Sequence, residues 1–304
     1  MLRKLLLSLS VTAGIVIAGT AMAPAQAQVG PGSPAERLVS GAARLSPEVA
    51  RTLDGSGGDA VRRALSRYWT PERMKAARPG AELVGGATGQ ALPMTAPEAA
   101  LTSYPPDHPV ARTMGRIFLT LNGGNYTCPG VIVDSEGKSL VWTSGHCVSS
   151  GGVYATNWAF VPGYYNGAAP YGYWYATSLW TTTAWHYNNN DFANDVGAAI
   201  VGRVNGWRIA DYLGGQGITW NRPIPEYVEV FGYNGPTLVS ERVLHTGTVF
   251  TTIPAPTFWL WSFDGSRGYV NGNITFRYTT GEWGSPYYGS QVAGLYNAVR
   301  YISA

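Results

Sequence analysis

Cys128-Pro129-Gly130-Val131-Ile132-Val133 and, after a polar turn, Trp142-Thr143-Ser144-Gly145-His146-Cys147 are the two stretches on which the reading of this chain turns. Each joins a short apolar run to a cysteine. These are the only two cysteines in 304 residues, so one bridge can form, closing a loop of about 20 residues. Two cysteines exclude a four-thiolate zinc site and a disulfide-dense miniprotein. Outward from this core, short apolar or alternating runs recur from Arg116 to Leu121, Val196 to Val201, Val228 to Phe231, Thr237 to Phe250 and Asn273 to Tyr278, punctuated by Gly, Asn, Pro and Asp. Many short strands with glycine-rich turns and little helical period predict a sandwich or a barrel.

Composition sets the outer bounds. Charged residues make up 13% of the chain, aromatics 12%, and the net charge is +3. That is a neutral globular protein with core enough to fold unaided, and neither a membrane bundle nor a polyelectrolyte. So small a charge does not predict a nucleic-acid partner. At the start, Arg3 and Lys4 precede an apolar run from Leu5 to about Ala23, and Ala25-Gln26-Ala27 follows as a small-residue cleavage site. Residues 1–27 therefore read as a secretory signal peptide. Ser8, Ser10, Thr12 and Thr20 interrupt the run too often for a membrane span, so no stable anchor is expected after cleavage. The destination is extracellular and oxidising, where Cys128 and Cys147 can pair.

Only Tyr68, Trp69 and Tyr104 among the aromatic residues precede position 111, which puts the main core in residues 111–304. Residues 28–110 read as a pro-segment or linker. Its early part carries helix starts: a capping box at Ser33-Pro34-Ala35-Glu36, cap-then-proline pairs at Ser46-Pro47 and Thr70-Pro71, and Val61, Ala64, Leu65 and Tyr68 at helical spacing behind Asp59. From about Arg78 to Pro109 the Ala, Gly and Pro content predicts a flexible linker.

The segment around His146, with its histidine beside a cysteine, resembles that of chymotrypsin-like serine peptidases, in which the general-base histidine sits next to a disulfide. The resemblance implies that the Cys128–Cys147 bridge ties His146 to a neighbouring strand. Asn194-Asp195-Val196-Gly197-Ala198-Ala199-Ile200-Val201 is similar to the family's aspartate segment; Asp195 abuts the apolar strand directly, as Asp191 does not. The order His then Asp, 49 residues apart, suits the chymotrypsin arrangement. Tyr68-Trp69-Thr70-Pro71-Glu72-Arg73-Met74, Phe160-Val161-Pro162-Gly163-Tyr164 and Pro170-Tyr171-Gly172-Tyr173-Trp174 resemble segments of trypsin-like secreted proteins of actinobacteria. The fold implied is all-β: two antiparallel six-stranded barrels, the first at 111–205 and the second, shortened at its end, at 206–304.

The family's nucleophile would lie in a Gly-x-Ser-Gly-[Ser/Gly]-Pro turn about 90 residues after the aspartate. The chain has Thr280-Gly281-Glu282-Trp283-Gly284-Ser285-Pro286 there, so Trp283 occupies the nucleophile position. An indole N–H is a donor only and offers no alcohol for His146 to deprotonate. Ser285 is the alternative nucleophile, two residues on, and Ser266 reads as part of a surface hairpin. The backbone N–H groups of Gly281 and Trp283 form an oxyanion-hole-like nest in this reading. Residues Gln291 to Tyr296 read as the strand after the nucleophile, and the end soon after leaves the specificity pocket incomplete.

Three functions follow as expectations: a secreted trypsin-like homologue that binds peptide or glycan without hydrolysis, with Trp174, Tyr175, Trp180 and Trp185 exposed for stacking, an active serine endopeptidase using Ser285, or a peptide- or glycan-binding module in which His146 and Asp195 are vestigial. No cofactor or metal is expected, since His186 and His245 lack ligand-like spacing. The expected partner is an extracellular peptide, protein or glycan, and the expected state a monomer.

Overall fold

The computed structural model describes residues 37–84, 101–188, 191–278 and 280–304. The signal peptide and the capping box at residues 33–36 lie outside them. The described N-terminal segment is folded onto the rest. Strand β1 (Leu38–Ala42) leads into helices α1 (Pro47–Ala50), α2 (Gly58–Tyr68) and α3 (Pro71–Ala76), then into the two-residue strand β2 (Arg78–Pro79) and a 3-10 turn over Gly80–Val84. Ser46 and Thr70 cap α1 and α3 with their hydroxyls, each followed by proline at the first helical position. The cap of α2 is Gly57 rather than the expected Asp59, because a positive φ of 80° is needed there and Gly57 supplies it. Beyond, β3 (Thr102–Tyr104) and α4 (Pro109–Thr113) lead up to the first strand of the first barrel.

Six strands make that barrel: β4 (Met114–Leu121), β5 (Gly124–Ile132), β6 (Leu140–Thr143), then, after a small hairpin of β7 (Ser149–Ser150) and β8 (Val153–Tyr154), β9 (Thr156–Pro162), β10 (Trp174–Thr182) and β11 (Gly197–Val201). They pair antiparallel in the order β10-β11-β6-β5-β4-β9, and β9 returns to β10, closing the ring and removing its edges. Alternation along β4 sends Ile117, Leu119 and Leu121 into the barrel with Val141, Phe160 and Leu179. It sends Arg116 and Phe118 outward. Phe118 meets Trp69, Met74 and Tyr164, so α1 to α3 close a separate core on the barrel's outside. Strand β1 extends the same sheet by pairing with β10, Leu38 opposite Thr182 through Ala42 opposite Ser178. The stretch expected to be a spacer thus contributes three short strands, three helices and a buried tryptophan.

Helix α5 (Thr183–Tyr187) lies between β10 and β11, and the linker that leaves β11 carries α6 (Ile209–Leu213) and β12 (Gly217–Ile218). The second barrel comprises β13 (Glu226–Asn234), β14 (Thr237–His245), β15 (Thr248–Val249), β16 (Ala255–Trp261), β17 (Tyr269–Asn273) with its continuation β18 (Phe276–Arg277), and β19 (Trp283–Gly284). One antiparallel path runs β17-β16-β13-β14, and β15, β19 and β18 form a small sheet beside it. β3 covers the outer edge of β14, Tyr104 opposite Leu238. The chain then ends in helix α7 (Ser290–Val299). The expected strand from Gln291 to Tyr296 is therefore helical. Val292, Leu295 and Val299, spaced by three and four residues, enter the core between the barrels with Trp142, Ile200, Phe231 and Leu260. This double burial explains why β11 reads as an unbroken apolar run: both of its faces are covered.

Candidate active site

The Cys128–Cys147 disulfide is formed, its Cα atoms 6.0 Å apart and its ends separated by 19 residues. It fastens the 3-10 turn Gly145–Cys147 to β5. His146, at the centre of that turn, is 3% exposed, and Asp195, just before β11, is fully buried. The carboxylate receives two bonds from the same residue: the His146 backbone N–H donates to Oδ1 and ring Nδ1 to Oδ2, both at 2.8 Å. With the carboxylate as acceptor the proton belongs on Nδ1, which leaves the lone pair on Nε2. Such a histidine is oriented as a general base. Gly145 and Gly197 are required by packing: a Cβ on Gly145 would lie 2.6 Å from the Trp185 ring, and one on Gly197 2.6 Å from the Ser144 carbonyl.

Asn273 ties this pair to the second barrel. Its amide nitrogen donates to the Asp195 carbonyl at 3.1 Å and to Ser144 Oγ at 2.9 Å, and its oxygen accepts from the Tyr288 hydroxyl at 2.9 Å. Trp142 donates in turn to the Tyr288 oxygen. Burial holds the Tyr288 phenol far above its ordinary pKa, with the nearby Asp195 charge adding to it and the Trp142 hydrogen bond opposing, so it stays a neutral donor. Composition gave no hint of this node, because an isolated asparagine at the end of a strand carries no signal without knowing what lies opposite.

His146 opens onto a cavity of about 350 Å³ between the barrels. On one side lie Arg116, Thr127 and Pro129 of the first barrel; on the other, Tyr233, the run Pro254 to Thr257, Ile274 and Trp283 of the second. Pro79, Gly80 and Ala81 form the third wall. β2 pairs parallel with β5, Arg78 opposite Tyr126 and Pro79 opposite Thr127, and this lays Gly80 against the disulfide. A Cβ there would stand 2.3 Å from Cys128 Sγ and 3.5 Å from the His146 ring. A stretch within the expected spacer is thus part of the site, which sequence reading missed because the pairing spans almost fifty residues.

The other expected site residues fall as follows. Trp283 is half-buried in β19, paired with Val249 and Arg277, and lines the cavity with His146, while the Arg277 guanidinium sits 5.0 Å from its ring. It stands in a strand, not in the turn expected there. The Ser285 hydroxyl accepts the Asn273 N–H at 3.1 Å and donates to the Pro286 carbonyl at 2.8 Å, so both of its bonds lie within the second barrel. The Gly281 N–H donates to the Tyr278 carbonyl at 3.0 Å, which corrects its expected place in an oxyanion nest. Ser266 lies in a hairpin turn whose N–H donates to the Asp264 side chain. Trp174 and Trp185 are fully buried, and Tyr175 and Trp180 are half-buried, so these four do not form the exposed stacking surface anticipated for them. The cavity instead gains Arg116 and Thr127. The Nε of the one and the hydroxyl of the other are buried without a hydrogen-bond partner. Cys128, His146 and Cys147 cluster closely enough to suggest a metal site, but the two sulfurs are joined to each other and offer no thiolate.

No family model and no curated protein matches the chain. Among solved structures it is similar to the protease Anisep from Arthrobacter nicotinovorans, at 31% identity and a TM-score of 0.57, over 67% of this chain and all of that one. It is similar to the thermostable serine protease AL20 from an extremophilic microorganism, at 27% identity and a TM-score of 0.58, over 63% of this chain and 98% of that one. A Glu endopeptidase shares the fold at 15% identity and a TM-score of 0.53, over 69% of this chain and 100% of that one.

Proposed function

We propose that this chain, which belongs to the chymotrypsin/trypsin-like serine protease family, is a secreted member that binds extended peptide in the His146 cleft without cleaving it. One observation carries the reading: among the described residues, those lining the cavity with His146 include no serine. Its hydroxyl-bearing residues are Thr127, Thr257 and Tyr233. Thr257 donates to the Phe231 carbonyl, and burial raises the Tyr233 phenol to about 12 against the opposing Arg116 charge. Ser285, held by Asn273 and Pro286, would have to break both bonds to turn toward the imidazole. A general base whose cavity wall carries no serine lacks the nucleophile with which this family begins acyl transfer.

Binding is supported by what the cleft already holds. It accepts an extended backbone, since β2 lies on β5 directly beside the histidine, and its walls are mostly apolar, which suits peptide side chains. The leader at 1–27 and the disulfide favour an extracellular site of action. Residues 28–110 keep their reading as a pro-segment, of which residues 37–84 remain docked on the first barrel in this proposal.

The test is covalent. Purified protein exposed to a fluorophosphonate probe is expected to show no adduct by intact mass. Labelling at Ser285, or at any other residue in a manner abolished by His146→Ala, overturns the proposal in favour of an active endopeptidase.

A further inference from the structure

Arg116 is an arginine without a counter-ion. It projects outward from β4 into the wall shared by the His146 cavity and a second cavity of about 330 Å³ that continues past Thr127 to Lys75 and Asn166. Its Nε is buried and unpartnered, and among the described residues no carboxylate lies within ion-pair distance and no protein acceptor takes a hydrogen bond from the guanidinium. What surrounds it is aromatic: its central carbon is 4.5 Å from the Tyr233 ring centroid and 5.5 Å from that of Tyr164. Cation–π attraction helps hold the charge there but uses none of its five N–H donors. Burying the Nε donor without an acceptor is costly. Beside them the Thr127 hydroxyl is buried and equally unmatched.

Resting on the peptide-binding reading above, we propose that Arg116 makes the cleft selective for a carboxylate, so that the bound peptide presents an acidic group to the wall that carries Arg116, Thr127 and Tyr233 in the cavity shared with His146. A carboxylate matches the guanidinium edge in a bidentate, charge-assisted pair, and Thr127 can donate to a remaining lone pair. The Tyr164 and Tyr233 rings beside the guanidinium screen part of such a pair from water, which strengthens it relative to a fully exposed one. Neither an amide nor a neutral side chain satisfies two parallel N–H donors on one rigid fork.

Calorimetric titration of the purified chain with Ac-Ala-Ala-Glu-Ala-Ala-NH2 and its Gln counterpart tests this, with a free-acid Ac-Ala-Ala-Ala-Ala-Ala alongside to separate a side-chain carboxylate from a terminal one. The Glu peptide, the free acid, or both are expected to bind at least about tenfold more tightly than the Gln peptide. Arg116→Gln should abolish that preference, and Arg116→Lys should retain only part of it, as a point charge without the fork. Should these variants fail to fold, wild-type protein treated with phenylglyoxal supplies the location: a preferred acid should protect Arg116, mapped by mass spectrometry, where the Gln peptide does not. Equal binding of all three peptides overturns the carboxylate inference while leaving peptide binding intact. Preference for acid with Arg116 unprotected overturns it too. Binding of none overturns both.

Discussion

Asp195 is satisfied on both oxygens by one residue, so its loss is felt twice. In Asp195→Asn a single acceptor oxygen must serve two donors, and the new NH2 faces a ring nitrogen or a backbone N–H. Removing a charge-assisted buried hydrogen bond costs about 1.5–3 kcal/mol, and that loss is the expected fall in urea-unfolding free energy. Nitrogen NMR of the imidazole should also show the proton moving from Nδ1 to Nε2. An unchanged tautomer would mean that something other than Asp195 orients His146. At this scale the histidine and the aspartate were legible in the sequence because each sits in a short local word, a histidine beside a cysteine and a carboxylate before an apolar strand. Trp283 was placed by counting from the aspartate, and counting cannot tell a turn from a two-residue strand. Arg116 was invisible for another reason: an outward arginine in a strand reads as solvated until one sees Tyr164 and Tyr233 in front of it.

The elements at the two ends of the chain show how far local pattern carries. Ser46-Pro47 and Thr70-Pro71 announced α1 and α3 correctly, because a capping hydroxyl and a proline at the first turn are local chemistry. Their docking was not announced, since Trp69 meets Phe118 from a different part of the chain. Trp69 is completely buried and its indole donates to the Asn157 carbonyl at 2.8 Å. Trp69→Ala is therefore expected to cost about 3–5 kcal/mol, the range for large core truncations, read from chemical denaturation. A cost below about 1 kcal/mol would show α1 to α3 to be loosely held. At the other end, Gln291 to Tyr296 reads as a strand over six residues. Extended to Val299, the apolar positions fall at helical spacing, and only this longer window reveals the face that α7 buries.

At the level of the whole molecule, two buried imidazoles bear on stability. His186 packs against Tyr154 and His245 against Trp259, and burial lowers both pKa values below the ordinary 6.5, with Glu226 and the Gly247 backbone partly offsetting it at His245. A lowered histidine binds its proton less readily folded than unfolded, so the unfolded chain takes up more protons just below pH 6.5. Stability is then fully present above about 6.5 and declines on acidification through that window. Urea midpoints measured from about pH 7.5 to 5 should fall, and His245→Gln should flatten the slope; a flat wild-type profile would count against both histidines. The disulfide acts at this scale as well. Cys128→Ala with Cys147→Ala is expected to lose about 3 kcal/mol by the loop-entropy argument. Short alternating runs and turns made a sandwich or a barrel legible, and the resemblance of the His146 and Asp195 segments narrowed that to two barrels. The contents of the cleft were not, because Pro79 to Ala81, Tyr233 and Pro254 to Thr257 arrive from segments far apart in sequence.

The clasp formed by residues 37–84 has one last implication. Strand β1 is zipped to β10, Trp69 is sunk among first-barrel side chains and Gly80 is wedged on the disulfide, none of which depends on an intact backbone between Val84 and Leu101. A single nick there would yield two polypeptides that migrate together on a native gel and part only in detergent. Band size alone would then report maturation while the cleft kept its original lining.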